Sequence, residues 1–255
     1  MRNLITVFVF ALLTIGSSAK NVRIVGGQET NPRKYPFVAA FKHVSDPNFF
    51  CSGAILSHKH IVTTAQCMRK FFRDLTNVTI YTGIVSLESN ELNTYQVARA
   101  AINRRYTGKK DSDEAYLHDI AVVKVKGEIH FDEFQNKIEL LDRDVTASDR
   151  GVLLGWGAMT YPEYSYPVKL RKAAMKIVPQ RFYYKHFTFL IHDTQFMALR
   201  KAGVGACKGD NGAPFVIDGK LAGLASVIDE CAEGIPEIHT KIHYYVDFIR
   251  DMMNY

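Results

Sequence analysis

The chain has 255 residues, of which 47% are hydrophobic, 12% aromatic and 23% charged. This composition is typical of a globular protein with enough apolar side chains for a core, and it excludes a disordered or fibrous chain. The formal net charge of +6 is modest for a nucleic-acid-binding protein, which normally presents a concentrated basic face, so no such partner is expected.

Residues 1–19 have the pattern of a secretory signal peptide. Arg2 supplies a positive charge, Leu4–Ile15 is apolar apart from two threonines, and small residues follow at 17–19. This apolar run is too short to span a bilayer, which takes roughly 20 residues in a helix, so no membrane anchor is expected. Removal of residues 1–23 takes away three basic residues and no acid, which lowers the net charge from +6 to +3. We predict a secreted, extracellular protein.

Short apolar or alternating runs, bounded by polar turns, recur along the chain and are typical of β-strands. Their lengths and spacing favour an all-β barrel or sandwich. The predicted strands are Phe37–Phe41, Ala54–Leu56, Val78–Tyr81, Ile120–Val125, Val152–Leu154 and Lys220–Ser226.

Three further segments differ from this pattern. Residues 131–150 are polar and rich in acids, and we expect them to connect two halves of the chain. A short helix is expected over Arg181–Phe187. Near the end of the chain, apolar residues recur at helical spacing and predict one amphipathic helix over residues 241–253.

Secretion determines how the four cysteines are interpreted. In an oxidising compartment they are expected to form two disulfide bridges rather than a metal site, and no metal or cofactor is predicted. The same route makes Asn77, which begins an Asn-Val-Thr sequence, a predicted glycosylation site. The cysteines are Cys51, Cys67, Cys207 and Cys231.

Four separate motifs occur in order along the chain. Residues 23–27 read Arg-Ile-Val-Gly-Gly, residues 64–67 Thr-Ala-Gln-Cys, residues 119–123 Asp-Ile-Ala-Val-Val and residues 209–214 Gly-Asp-Asn-Gly-Ala-Pro. Together with a Gly-Trp-Gly sequence at residues 155–157 and the terminal helix, this set resembles the chymotrypsin-like serine proteases of the trypsin family. The resemblance extends over residues 24–255.

This resemblance implies an all-β fold of two antiparallel six-stranded β-barrels followed by the C-terminal α-helix. The first barrel would take residues 24–135 and the second residues 150–240, after a short propeptide at residues 20–23. It also implies that Cys51 pairs with Cys67 and Cys207 with Cys231. Each bridge would contribute roughly 2–4 kcal/mol.

Two of the family's three catalytic positions carry different residues here. The family has a histidine where this chain has Gln66 and a serine where it has Asn211, whereas Asp119 keeps the place of the orienting aspartate. In such a triad the imidazole takes the serine hydroxyl proton and later returns it to the leaving amine. A side-chain amide has neither a basic lone pair near neutral pH nor a hydroxyl with which to attack. We therefore expect no protease activity.

Other parts of the family's machinery are retained. The backbone N–H groups of Gly209 and Asn211 would form an oxyanion hole, since backbone donors survive side-chain changes. The resemblance also implies that cleavage between Arg23 and Ile24 would free an ammonium group that pairs with Asp210. Two interpretations stay open. Either the change that follows cleavage of a zymogen is retained although catalysis is lost, or these residues are kept because folding requires them.

The substrate pocket departs from the family pattern. Gly205 would occupy its floor, so no acid there would attract Lys or Arg. The wall reads Ser226-Val227-Ile228 where the family has Ser-Trp-Gly, and Ile228 would place a branched side chain where a substrate backbone lies. Glu237 stands where glycine is usual and is expected to point into the pocket. These changes favour an occluded or altered cleft.

The sequence therefore favours a catalytically inactive serine protease homologue that binds another protein, with the tyrosine-rich loop Tyr161–Tyr166 as a suggested contact surface. Similar pseudo-proteases act as cofactors, decoys or regulators of proteolytic cascades, including innate immunity, and occur in venoms. The alternatives are residual hydrolase activity through a histidine and a polyanion-binding surface, although structural and solvated roles are commoner for such residues. The histidines are His58, His60 and His118, and the basic residues are Arg104, Arg105, Lys109, Lys110 and Lys169–Lys176.

Overall fold

The computed structural model describes residues 25–46, 48–84, 86, 93–110, 112–181, 187–229 and 231–254. The predicted signal peptide and propeptide, including Arg23, and Ile24 lie outside these residues. So do residues 182–186, which make up most of the short helix expected over Arg181–Phe187.

Most of the described chain is antiparallel β-structure. The strands are β1 (Gln28–Glu29), β2 (Val38–His43), β3 (Phe49–Ile55), β4 (His60–Thr63), β5 (Val78–Thr82), β6 (Asn93–Ile102), β7 (Ala121–Val125), β8 (Arg150–Gly155), β9 (Arg171–Val178), β10 (Gln195–Leu199), β11 (Pro214–Ile217), β12 (Lys220–Val227) and β13 (Glu237–Lys241). The helices are α1 (Ala65–Lys70) and α2 (Val246–Met253). All six strands predicted from the apolar runs are confirmed, with shifts of up to five residues at their ends.

Six strands close into the first barrel, in the order β2-β3-β4-β7-β6-β5. Alternating side chains of β5 are buried, as expected for a strand with one face on a core. Phe41, Ile55, Ile61 and Ile80 fill the interior, and each is almost fully buried.

The second barrel has the order β9-β10-β13-β12-β11-β8 and is closed by pairing between β8 and β9, while β1 adds to the outer edge of β9. Its core is built around Leu153, Phe196 and Phe215. The fold of two antiparallel six-stranded barrels with a C-terminal helix is thus confirmed. The two barrels are separated by residues 126–149, which contain no strand or helix beyond an isolated bridge at Leu140. The polar connector predicted over residues 131–150 lies in this segment except for Arg150, which begins β8.

The C-terminal segment differs in detail from the predicted helix over residues 241–253. Lys241 still belongs to β13, Ile242–Tyr245 form a 3₁₀ turn, and the α-helix begins at Val246. The tighter turn stacks side chains three residues apart, so that Ile242 and Tyr245 both enter the first barrel's core together with Ile249. The end of the chain therefore packs against the first barrel after leaving the second.

Both disulfides form as the resemblance implied. Cys51 pairs with Cys67, with 6.1 Å between their Cα atoms, and Cys207 pairs with Cys231 at 4.4 Å. Within the described part of the chain, no helix is long and apolar enough to cross a membrane.

Candidate functional site

The residues at the three degenerate catalytic positions are brought together from separate loops. Gln66 lies in the first turn of α1, directly after β4, and Cys67 beside it is tied to β3 by a disulfide. Asp119 precedes β7, in a turn where His118 adopts a φ of 59°. Asn211 lies in the turn before β11, where glycines on both sides at 209 and 212 have φ values of 99° and 79°.

A continuous set of hydrogen bonds joins these side chains. The backbone N–H of Gln66 donates to Asp119 Oδ1 at 2.8 Å, and its side-chain Nε2 donates to Asp119 Oδ2 at 2.6 Å. The same Nε2 donates to the carbonyl oxygen of Ser226 at 2.7 Å, and Asn211 Nδ2 donates to that oxygen at 3.0 Å. One backbone carbonyl thus accepts from both amides.

Asp119 is the fully buried centre of this network. The Ser226 hydroxyl donates to Asp119 Oδ2 at 2.7 Å, and the Thr240 hydroxyl donates to the Asp119 carbonyl at 2.8 Å. Burial raises the pKa of Asp119 to about 6, because desolvation disfavours the charged form, while the hydrogen bonds from Ser226 and Gln66 act in the opposite direction.

The chemistry available to this arrangement is limited by its two amides. Neither side chain can accept a proton near neutral pH, and neither carries a hydroxyl or thiol. Their –NH₂ groups are turned towards Asp119 and Ser226. These two side chains can therefore donate hydrogen bonds and hold a carboxylate in place, and neither is a base or a nucleophile of the kind that acyl transfer uses.

The backbone around Gly209 and Asn211 forms one wall of a cavity of about 250 Å³. Among the described residues, neither of their N–H groups has a hydrogen-bond acceptor. Phe49, Phe50 and Tyr166 are among the other residues that line the same cavity. Two unengaged donors at one surface are suited to a carbonyl or carboxylate oxygen, which agrees with the predicted oxyanion hole without testing it.

Asp210 is also fully buried, but it lies against backbone. Its Oδ1 accepts from Gly157 N–H at 2.8 Å and its Oδ2 from Cys207 N–H at 3.1 Å. A Cβ built on Gly157 would lie 2.1 Å from Asp210 Oδ2, so only glycine fits there. Burial raises the pKa of Asp210 to about 7, and the negative charge of Glu237 adds to this rise.

The segment that follows the predicted cleavage position is docked on the second barrel. The carbonyl of Val25 accepts from Gly205 N–H at 2.9 Å. Gly26 has a φ of 72°, and a Cβ there would lie 2.0 Å from the carbonyl oxygen of Gly203. The predicted pair between Ile24 and Asp210 stays a prediction, because Ile24 lies outside the described residues.

Glu237 fills the floor of the predicted pocket. Its side chain is buried, and Oε1 accepts from Ala206 N–H, while a Cβ on Gly205 would lie 2.3 Å from that oxygen. The other oxygen, Oε2, is 3.6 Å from Nε2 of His239, which is fully buried. His239 was not singled out in the sequence, although it lies two residues along β13 and hence on the same face.

The wall of the pocket is apolar. Val227 is buried, while Ile228 is half-buried against the second barrel's core. Ile228 lines a cavity of about 330 Å³ together with Asn211, Tyr161 and Tyr164. Branched and aromatic side chains therefore border the site where the family has an open wall.

Comparisons with known proteins agree with this geometry. The sequence profile described as Trypsin matches residues 24–249. The chain belongs to the trypsin family. Chymotrypsin-2 of Vespa crabro is 29% identical over 229 residues, which cover 89% of this chain and 98% of that protein. The venom serine protease of Polistes dominula is 26% identical, covering 90% of this chain and 84% of that protein.

A solved structure shows the same architecture. Neuropsin, a serine protease expressed in the limbic system of mouse brain, matches this trypsin-family chain with a TM-score of 0.79 and 25% sequence identity. The match covers 89% of this chain and 98% of neuropsin.

The three histidines that could replace the missing base are engaged elsewhere in this trypsin-family protein. The His58 ring stacks on Phe131 at 3.9 Å, and its Nδ1 donates to the Ile129 carbonyl at 2.8 Å. His60 is buried beside Ser57, and burial and nearby lysines lower its pKa. His118 Nδ1 hydrogen-bonds the Tyr245 hydroxyl at 2.8 Å. None of the three lines either cavity of the cleft.

Two of the basic residues named from the sequence form ion pairs. Lys109 pairs with Glu114 at 2.8 Å, and Lys169 pairs with Glu29 at 2.9 Å. Arg104 and Arg105 line a groove whose lining residues include neither of these lysines. The predicted glycosylation site, Asn77, is exposed, which is compatible with modification but does not test it.

Proposed function

We propose that this protein is a secreted, catalytically inactive member of the trypsin family that acts by binding a partner protein at its degenerate cleft. The observation that carries this proposal is that the amides of Gln66 and Asn211 both donate to the carbonyl of Ser226. The family's chemistry needs a base that faces a nucleophile. Here the two amide groups at those positions instead donate to the same backbone carbonyl.

The expected loss of activity follows from how the triad operates. Losing either the base or the nucleophile of such a triad costs on the order of 10⁶ in turnover, and losing both costs little more, since they act as a unit. The unengaged N–H groups of Gly209 and Asn211 could contribute only the small residual catalysis of an oxyanion hole. The capability that remains for the altered cleft is binding.

The surface beside the cleft has the composition of a protein contact. Tyr161 is 53% exposed and Tyr164 is 42% exposed, with ring centroids 5.9 Å apart. The ammonium of Lys208 lies 4.7 Å from the Tyr164 ring. Exposed tyrosines next to a cation and the half-buried Ile228 favour a protein partner, because tyrosine is enriched at interfaces.

The cellular setting supports a partner outside the cell. The amino-terminal sequence has the pattern of a secretory signal, and both disulfides require an oxidising compartment. Two relatives are venom serine proteases by name, from Polistes dominula and Naja atra. A secreted protease or another component of a proteolytic or immune cascade is the partner class we propose, with this protein as its cofactor, decoy or regulator.

The first test is chemical. The purified chain is incubated with peptide and ester substrates and with a fluorophosphonate, and its intact mass is measured. We expect no turnover above buffer and no adduct. An acyl or phosphonyl adduct on the natural chain, or turnover that disappears in an Asp119→Ala variant, would show that it is an enzyme.

The second test concerns binding. The immobilised chain is used to recover partners from the secreted fluid in which it occurs, and the affinity for a recovered partner is then measured with variants. The double variant Tyr161→Ala/Tyr164→Ala should lose the partner. The Tyr244→Ala variant removes a tyrosine that is 52% exposed elsewhere and should keep it. Equal binding by all three proteins would place the contact outside the cleft.

A further inference from the structure

A groove separate from the cleft runs along the first barrel, between the end of α1, β6 and the C-terminal helix. It encloses about 790 Å³ and shares no lining residue with the two cavities of the cleft. Four arginines line it, and none of its lining residues, all of which are described, is acidic. We call it the arginine groove, and its arginines are Arg69, Arg99, Arg104 and Arg105.

The floor of the arginine groove is apolar. Ile102 comes from β6, and Phe248 and Met252 come from successive turns of α2. At its edge Phe72 is 56% exposed, which is unusual for a large aromatic side chain. A cationic rim around an apolar floor differs from an ordinary solvated basic surface.

Three of the four arginines are available to a ligand. Arg69, Arg104 and Arg105 form no ion pair with any described residue, and each is exposed. Arg69 is already oriented, because it donates to the Thr107 carbonyl and lies 5.7 Å from the Tyr106 ring. Guanidinium groups bind planar carboxylates through two parallel hydrogen bonds, so that this rim is suited to several carboxylates at once.

We infer that the arginine groove binds an acidic peptide segment of a partner protein, in which several carboxylates flank aromatic or aliphatic side chains. An amphiphile with a single anionic head group could pair with only some of the guanidinium groups, and the others would face its apolar tail. A sulfated polysaccharide would satisfy the arginines but leave Phe72, Phe248 and Met252 in contact with water. A peptide of mixed acidic and apolar residues matches both parts of the surface.

The test uses a fluorescently labelled synthetic peptide in which glutamates flank a phenylalanine–leucine pair. Its binding to the full secreted chain is followed by anisotropy at physiological salt. The double variant Arg104→Ala/Arg105→Ala should weaken binding by about tenfold or more, as expected for two lost charge-assisted contacts. The variant Phe72→Ser should also weaken it, while leaving the charge unchanged.

A matched control comes from the second barrel, where Arg150 and Arg200 line another groove with Lys176. The double variant Arg150→Ala/Arg200→Ala removes the same charge and should change the affinity by less than about twofold. Circular dichroism checks that every variant is folded. Equal loss in both double variants would overturn the proposal in favour of non-specific attraction.

The chemistry of the occupant is tested with two competitors. A peptide with the same glutamates but serine in place of phenylalanine and leucine should bind more weakly, and so should a heparin oligosaccharide. If either binds as tightly as the amphipathic peptide, the groove recognises charge alone and the inference is wrong. None of these measurements depends on the cleft, so their outcome is independent of the proposed function.

Discussion

Asp119 and Asp210 are both fully buried, but they are held in different ways. Asp119 accepts from two side chains, the amide of Gln66 and the hydroxyl of Ser226, as well as from the backbone of Gln66. Asp210 accepts from the backbone N–H groups of Gly157 and Cys207. The hydrogen-bond network around Asp119 therefore includes Gln66, which stands where the family has a histidine.

The difference indicates which carboxylate has an altered role. At Asp119, the amide of Gln66 supplies a donor where the family has an imidazole, so the aspartate keeps a hydrogen-bonded partner although that partner cannot move a proton. At Asp210 the surroundings are those that the resemblance associates with an incoming ammonium group, and the nearby Glu237 adds negative charge. Asp119 already has side-chain hydrogen-bond donors around its carboxylate, whereas the carboxylate of Asp210 is still suited to a cation.

The largest expected effect comes from rebuilding the chemistry around Asp119. The double variant Gln66→His/Asn211→Ser should react with a fluorophosphonate at least about 10³-fold faster than the natural chain, because base, nucleophile and orienting acid are then all present. It should stay poor on peptides, since Glu237 and Ile228 still fill and border the pocket. Labelling is measured by intact mass and peptide cleavage by release of a fluorophore.

The control for this restoration is the same double variant with Asp119→Ala added, which should lose most of the labelling. Efficient peptide cleavage by the double variant would show that the cleft is open and that the described occlusion has no effect on substrates.

The next effect concerns stability. Asp119→Ala removes the acceptor of the Ser226 hydroxyl and of two N–H groups of Gln66, and should lower the free energy of unfolding by about 3–5 kcal/mol. Asp210→Ala should cost less at neutral pH, because it also removes a buried carboxylate that only backbone groups stabilise. Urea unfolding measures both, and Asp142→Ala, at an exposed ion pair, should change stability by less than about 1 kcal/mol. An equal loss for Asp119→Ala and Asp142→Ala would contradict the role of the network.

The pH dependence of stability separates the two aspartates further. Both folded pKa values, about 6 and about 7, lie above the ordinary value, so the folded chain binds more protons than the unfolded chain between about pH 4 and 7. The uncut chain should therefore lose on the order of several kcal/mol of stability as the pH rises through this range. Chemical unfolding at a series of pH values measures this slope.

Cleavage after Arg23 is expected to separate the contributions of Asp119 and Asp210 to the pH dependence of stability. An ammonium group on Ile24 next to Asp210 would stabilise the carboxylate, so the part of the slope due to Asp210 should disappear in the cut chain while the part due to Asp119 remains. The variant Asp210→Asn should flatten the slope without cleavage. A pH profile that is identical in cut and uncut protein would show that Asp210 receives no cation.

The smallest expected effect distinguishes the two amides. Gln66→Ala should lower the free energy of unfolding by about 2 kcal/mol, because its Nε2 reaches both Asp119 and the Ser226 carbonyl. Asn211→Ala should cost about 1 kcal/mol, since the Ser226 carbonyl keeps its bond from Gln66. The exposed Gln96→Ala serves as control, with a change below about 0.5 kcal/mol. A larger loss of stability for Asn211→Ala than for Gln66→Ala would contradict the view that Gln66 makes the stronger contacts.

The resemblance carried by the motifs was sufficient to predict the two-barrel architecture, which the apolar runs alone left open as a barrel or a sandwich. Apolar runs marked the strands with the clearest patterns, whereas β6, β9, β10, β11 and β13 were not predicted. In β6 and β9, polar or charged residues interrupt the apolar ones. Motif order placed Gln66, Asp119 and Asn211 at one site. What it could not supply was the partners of Asp119, because the Ser226 and Thr240 hydroxyls approach it from strands far away in the chain.

Two groupings of charged residues required the three-dimensional structure. His239 meets Glu237 inside the second barrel, and only burial distinguishes this pair from two exposed polar residues on a strand. The sequence grouped Arg104 and Arg105 with the lysines that follow them. The structure groups them with Arg69 and Arg99, which approach the same groove from α1 and β6. Contacts between distant segments depend on strand register and helix position, which local patterns do not encode.

The backbone at the two altered positions is fixed by contacts that do not involve their own side chains. Position 66 is held by its N–H bond to Asp119 and by the neighbouring Cys51–Cys67 bridge, and position 211 by a bond of 2.8 Å from Ser52 N–H to its carbonyl. Exchanging the residue at either position therefore leaves the chain path in place. The two positions can consequently carry side chains of different chemistry on the same backbone.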